Sequence, residues 1–477
     1  MKKKVLFHVA MMVLLLVACD HDESFTKSPS CLLTFSVDTL RVDTVFSGET
    51  SATYSMWVHN YTSEGIRCSD IRLERGVESG FRVNVDGVPL QAQNDYRATD
   101  IEIRSGDSIR IFVDLQAKEQ HASQPQVVTD NLLFSLESGV TQKQPLRAHV
   151  WDAIKLNHLV VETNTTLASS APILIRGGIT VEAQATLTLA AGTTLYFHED
   201  AGITVAGTLV AEGTPSLPVV LRGDRLDDML PNLPYDRVSG QWQGIRLLAS
   251  SKGNILRYTD LHGAYDGVTT ESSQSDEETL CMEASTIHNC KGYGLKLQDV
   301  RARLMNCVFS NTWHNCVYVS GGDVSMNHCT IAQFYPFDAG RGAALYFKTP
   351  LQQLVCRNSL VTGYGDDMLV GELAQSGNTT GEEAFLFEDC ILRTPEVTTA
   401  AKDKFVRVLF ENATDTTQAG KKHFLTIDTN LFRYDFSLSQ SSKAIDAAHA
   451  ATSLPTDRNG RERDDKPDVG AYEYVKP

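Results

Sequence analysis

Three short segments, GLKLQ (294–298), CVYVS (316–320) and ALYFK (344–348), carry Lys296, Tyr318 and Tyr346 at the same internal position. Read as equivalent strands, they turn Leu295 and Leu297, Val317 and Val319, and Leu345 and Phe347 inward and stack Lys296, Tyr318 and Tyr346 in one outward column. Two tyrosines one strand spacing apart offer flat apolar faces edged by hydroxyls, a surface suited to sugar rings. Trp313, Tyr335, Asp338, Asp366 and Asp367 fall in nearby turns, with Tyr293, His314, Phe337 and Tyr364, and would rim the same glycan groove. Grouped acids there would serve hydrolysis or hold Ca²⁺, and Lys296, Arg341 and Lys348 are the cations available as bases for elimination. The competing reading is structural: stacked tyrosines support a sheet and turn aromatics cover a core.

The elements that would position these side chains show as a ladder. RYTDL (257–261), EASTI (283–287), MNCVF (305–309), MNHCTI (326–331), CRNSLV (356–361) and FEDCIL (387–392) each place a small residue two positions before a large apolar one. The small set is Thr259, Ser285, Cys307, Cys329, Ser359 and Cys390; the apolar set is Leu261, Ile287, Phe309, Ile331, Val361 and Leu392. The intervals are 26, 22, 22, 30 and 31 residues. A period in the twenties with strand-like alternation inside each unit predicts a solenoid of stacked coils, both columns pointing into its core.

Upstream, Leu33 to Trp151 alternates through some seven strand-like runs broken by turn signals such as Asp86-Gly87 and Gly106-Asp107, which predicts an immunoglobulin-like β-sandwich. FSVDTLRVDTVF, VHN, FRVNVDG and DSIRIFVDL resemble the N-terminal sandwich module of Bacteroidetes surface lipoproteins, which carries no known catalytic residues. From Ala153 short strands alternate with glycines, and Gly178, Gly192, Gly202, Gly207 and Gly213 are expected at tight corners. This stretch resembles the opening coils of a right-handed parallel β-helix of the pectin-lyase type. The tail, SSKAIDAAHA (441–450) and TDRNGRERDDKPDVGAYEY (456–474), resembles the C-terminal signature of choice-of-anchor Q domain proteins, with Ala447-Ala448 where that family has Ala-Gly. Interleaved Asp and Arg there suit a folded cap over the open end of the β-helix rather than catalysis.

The chain begins with Lys2, Lys3 and Lys4, a short apolar run and Leu16-Val17-Ala18-Cys19, which resembles a bacterial lipobox. Lipidation of Cys19 is the expectation, and the acids Asp20 to Glu23 resemble a surface-export signal. The expected organisation is therefore all-β: signal peptide 1–18, tether 19–32, sandwich 33–152, β-helix 153–448 and cap 449–477. Without the signal peptide, 40 basic residues face 59 acidic ones, a net charge of −19 that repels nucleic acid. Nine cysteines then remain, with no C-x-x-C pair; those of the small column read as buried free thiols rather than metal ligands.

No catalytic residue and no metal site is assigned. The Asn-Thr-Asp, Gly-His-Gly and Arg-Ile-Lys motifs of polygalacturonases and the signatures of pectate lyases are missing, and Asp366-Asp367 is the one partial match. The expected protein is a monomeric outer-membrane lipoprotein, on the cell surface or the periplasmic face, that binds glycan or another envelope macromolecule without cleaving it. A polysaccharide lyase or glycosidase, and a scaffold or adhesin with no glycan site, are the alternatives.

Overall fold

The computed structural model describes residues 24–273, 275–373, 384–411 and 420–476. Cys19 and its lipobox lie outside these residues. Contacts divide the chain into two units, 1–152 and 153–477, and among the described residues no helix is long and apolar enough to cross a membrane.

The first unit is a β-sandwich of one five-stranded and one six-stranded sheet. Alternation along Ser108–Leu115 buries Ile109, Ile111, Val113 and Leu115, while in the other sheet Leu132, Phe134 and Leu136 turn to the same core. Neighbouring strands run antiparallel, except that Leu40–Phe46 lies parallel to the strand Thr141–Trp151.

The second unit is a parallel β-helix whose coils contribute strands to three stacks. One coil supplies Thr286–Cys290 to the first stack, Leu295–Gln298 to the second and Arg301–Met305 to the third. The next coil lays Val308–Thr312, Val317–Ser320 and Asp323–Asn327 directly on them. The apolar column pairs in register from Leu261 through Ile287, Phe309, Ile331 and Val361 to Leu392, all wholly buried. Like side chains on like give continuous van der Waals contact along the axis, the main source of cohesion in a solenoid.

The small column follows from the corner before it. Tyr258, Ala284, Asn306, His328, Asn358 and Asp389 all adopt left-handed backbone, with φ between 43° and 55°. A single such residue turns the chain from the third stack into the first, and Asn, Asp and His tolerate the conformation best among non-glycine residues. The next side chain points straight inward where space is short. Where it is serine it also caps a backbone donor of the preceding coil: Thr259 N donates to Ser285 Oγ at 2.9 Å and Cys329 N to Ser359 Oγ at 3.0 Å. The nine described cysteines are free thiols, and all but Cys31 are buried.

The expected glycine corners have two different causes. Gly178 has φ +82°, which side chains resist, whereas Gly207 has no such backbone but sits against the carbonyls of Glu182 and Ala185, leaving no room for a Cβ.

The tail differs from expectation in position. Instead of closing the open end, its described residues roof the outer face of the first stack across several coils. Val308, Ala332, Leu360 and Ile391 of that face pack against Phe424, Phe436, Leu438, Val469 and Ala471 of the tail. Asn306 Nδ2 donates to Thr456 O at 2.8 Å, Asn327 Nδ2 to Thr452 O at 2.8 Å, and Gly470 N to Asn358 O at 2.8 Å. The tail carboxylates hold its own turns: Asp457 accepts from the backbone of Asn459, Arg461 and Glu473. Outward residues of the first stack, which a bare β-helix would leave in water, are thereby enclosed.

Candidate functional site

Three residues beyond each small-column position, the first stack carries His262, His288 and Ser310 in one register column, with Asp260 beside Thr286 one step earlier. The turn at Tyr235–Arg237 brings Asp236 alongside. His262 Nδ1 lies 2.8 Å from Asp260 Oδ1, His262 Nε2 3.0 Å from Asp236 Oδ1, and His288 Nε2 3.2 Å from Asp260 Oδ1. The two imidazoles stack with centroids 4.8 Å apart. Arg222 Nη1 pairs with Asp236 Oδ1 at 2.5 Å, and Trp242, itself buried, donates Nε1–H to the carbonyl of His262 at 2.8 Å.

Asp236, Asp260 and His288 of this network line a cavity of about 530 Å³ between the first stack and the tail. Thr286, Ser310 and Asn311 continue the β-helix wall; Phe432, Tyr434, Phe436 and Tyr472 give the opposite wall its aromatic character, with Arg433, Asp435 and Arg458 among them. Ser310 Oγ, both amide atoms of Asn311 and the hydroxyl of Tyr434 are buried without a hydrogen-bond partner. Buried polar atoms left so cost on the order of 1–3 kcal/mol each.

Burial pushes the His262 imidazole toward neutrality, but Asp260 and Asp236 on its two sides win and lift its pKa to about 9. Burial likewise raises both carboxylates, and again the partners decide. The charges and hydrogen bonds of His288 and His262 hold Asp260 well below the usual range; His262 and Arg222 do the same for Asp236. Both acids are thus ionised at neutral pH. Among the described residues Asp260, His262 and His288 are the group of three whose donor atoms, all within 4.8 Å of one another, could hold a metal ion.

The expected outward column exists: Lys296, Tyr318 and Tyr346 are register partners on the second stack. The Tyr318 and Tyr346 rings, however, lie 5.3 Å apart at 10°, so they cover each other's faces, and Tyr346 donates its hydroxyl to Glu372 at 2.5 Å. Tyr293 leans on Tyr318 and His314, and Trp313 on His314. Tyr335 belongs to a different surface, its hydroxyl 3.0 Å from Ser239 Oγ, and Phe337 stacks on Phe432 of the tail. Asp338 accepts from Gly340 N within its own turn; Asp367 accepts from Thr394 Oγ1, and Asp366 faces Arg393 at 3.8 Å. These three acids do not form a cation-binding group of the kind expected for Ca²⁺.

Asp236, Asp260, His262, His288, Ser310, Asn311 and Tyr434 were not singled out from sequence. The available signal was the ladder itself, which repeats His, His, Ser at one step in consecutive coils.

A family model described as a right handed beta helix region matches residues 235–379, under a third of the chain. No curated protein sequence matches. Among solved structures, the catalytic domain of a GH87 alpha-1,3-glucanase in complex with nigerose is 8% identical over 81% of this chain and 97% of that one, at a TM-score of 0.26. The PapD-like domain 7 of human CEP192 is 11% identical over 28% of this chain and 96% of that one, at 0.18. The Vibrio cholerae VesB protease is 12% identical over 25% of this chain at 0.17, and the match spans 31% of that protein's chain. Likenesses this distant carry no inference about activity.

Proposed function

We propose that this chain is an envelope lipoprotein, anchored through Cys19, whose β-helix binds a glycan segment without cleaving it, in the cavity beneath the tail. The observation that carries the reading is a cavity whose β-helix wall carries the polar residues Thr286, Ser310 and Asn311 and whose other wall carries the aromatic residues Phe432, Tyr434, Phe436 and Tyr472. A sugar ring has the matching duality of a hydroxyl edge and an apolar face. Charge supports binding over hydrolysis. A glycosidase needs one carboxyl group that stays protonated as general acid, whereas Asp236 and Asp260 are both held ionised by cationic partners.

The test is affinity gel electrophoresis of the full chain against a panel of neutral and acidic polysaccharides. At least one should retard it without releasing fragments, and Asn311→Ala combined with Tyr434→Phe should abolish the retardation. Fragment release would replace the reading with hydrolysis. Unchanged retardation of the double variant would remove the cavity from it.

A further inference from the structure

We propose that Asp260, His262 and His288 bind a single divalent cation of the zinc class. The donor set, two imidazoles and one carboxylate, is the mixed nitrogen and oxygen set that borderline first-row ions prefer. Asp260 Oδ1 lies 2.8 Å from His262 Nδ1 and 3.2 Å from His288 Nε2. A tetrahedral ion with bonds of about 2.0–2.2 Å holds its ligand atoms roughly 3.3 Å apart. The three donor atoms lie within 4.8 Å of one another, so binding moves the carboxylate outward and draws the two imidazoles to that spacing. These ligands stand on adjacent strands locked in register, Thr259–His262 and Thr286–Cys290, rather than on loops.

The surroundings point the same way. With His262 Nδ1 turned to the ion, its Nε2–H donates to Asp236, which Arg222 clamps in turn. A carboxylate on the far nitrogen of a ligating histidine fixes the tautomer and raises ligand basicity, the usual outer support of a metal site. Asp236 is thus a positioning residue. A second observation is independent of these groups: Ser310 and Asn311, each 1% exposed and with polar atoms that have no hydrogen-bond partner, belong to the same cavity lining as Asp260 and His288. An ion there would keep its remaining coordination position for a ligand in that cavity. The inference does not depend on glycan binding, since a chain that retains no polysaccharide can still hold the ion.

The experiment is calorimetric titration of ZnCl₂ into the full chain in mild detergent after dialysis against chelator, with Co²⁺ absorption as the geometric readout. One equivalent should bind with a tetrahedral Co²⁺ spectrum. His288→Ala and the bulkier His288→Gln should each weaken binding at least 100-fold, and Asp236→Asn should weaken it about tenfold. Urea unfolding midpoints of the variants establish that each remains folded. Absence of stoichiometric binding, or binding untouched by both His288 variants, overturns the site.

Discussion

Arg463 Nη1 donates to Glu473 Oε2 at 2.9 Å, and both side chains are almost completely buried. The same guanidinium donates through Nη2 to Asn306 Oδ1 at 3.0 Å and to Gly470 O at 2.9 Å. One ion pair therefore fastens the tail to itself and to a corner of the β-helix 157 residues earlier.

Removing one partner leaves the other charge buried and alone, which costs about 3–5 kcal/mol. Arg463→Met should lower the stability of the second unit by that amount in urea unfolding. Adding Glu473→Gln to it should restore part of the loss, because the carboxylate paired directly with Arg463 is then neutral too.

The stacked tyrosines of the second stack are expected to matter for stability rather than retention. Tyr318→Ala with Tyr346→Ala should cost about 1–2 kcal/mol and leave polysaccharide retardation as it was. Loss of retardation in this variant, with Asn311→Ala and Tyr434→Phe silent, would move the glycan site to the second stack.

Glu411 supplies a pH test. Burial raises its pKa, but the hydrogen bond from His423 Nε2 at 2.8 Å and the charges of His423, Lys422 and Arg393 outweigh it, and the pKa falls from 4.5 to about 2. The stabilisation is present above the unfolded pKa near 4.5 and is lost as pH falls toward 2; it amounts to roughly 3 kcal/mol. Thermal midpoints should drop over that window, and Glu411→Gln should be less stable at neutral pH and show a shallower drop.

Thiol counting tests both the core and the anchor. Burial pushes the pKa of Cys68 and Cys316 up to about 12 and that of Cys290 well above its ordinary value. In the native protein a thiol reagent should label Cys31 quickly and the other described cysteines slowly. In guanidinium nine thiols should react if Cys19 carries lipid, and ten if it remains free in an uncleaved chain. Shaving of intact cells with protease would separately report whether the chain faces outward.

The β-helix was legible because its information is local. Thr259 and Leu261, or Cys307 and Phe309, are two residues apart, and period-two alternation sends both to the core whatever the coil length. The outward column of Lys296, Tyr318 and Tyr346 was legible for the same reason. Its chemistry was not, because ring orientation decides whether two tyrosines offer their faces to a ligand or to each other. His262 and His288 stood in plain sight within the ladder, but at an outward position that reads as solvent-facing. Asp236, 26 residues earlier, covers His262, and contacts spanning more than a hundred residues, such as Asn306 with Thr456 and Thr330 with Ala471, lay the tail over that face. No local pattern encodes them.

Because the roof of the cavity is drawn from residues 432–472, downstream of the coils it covers, that cavity is completed only after those coils have been synthesised. A nascent or prematurely terminated product would wind its coils yet expose Val308, Leu360 and Ile391 as an apolar seam, an open invitation to proteolysis.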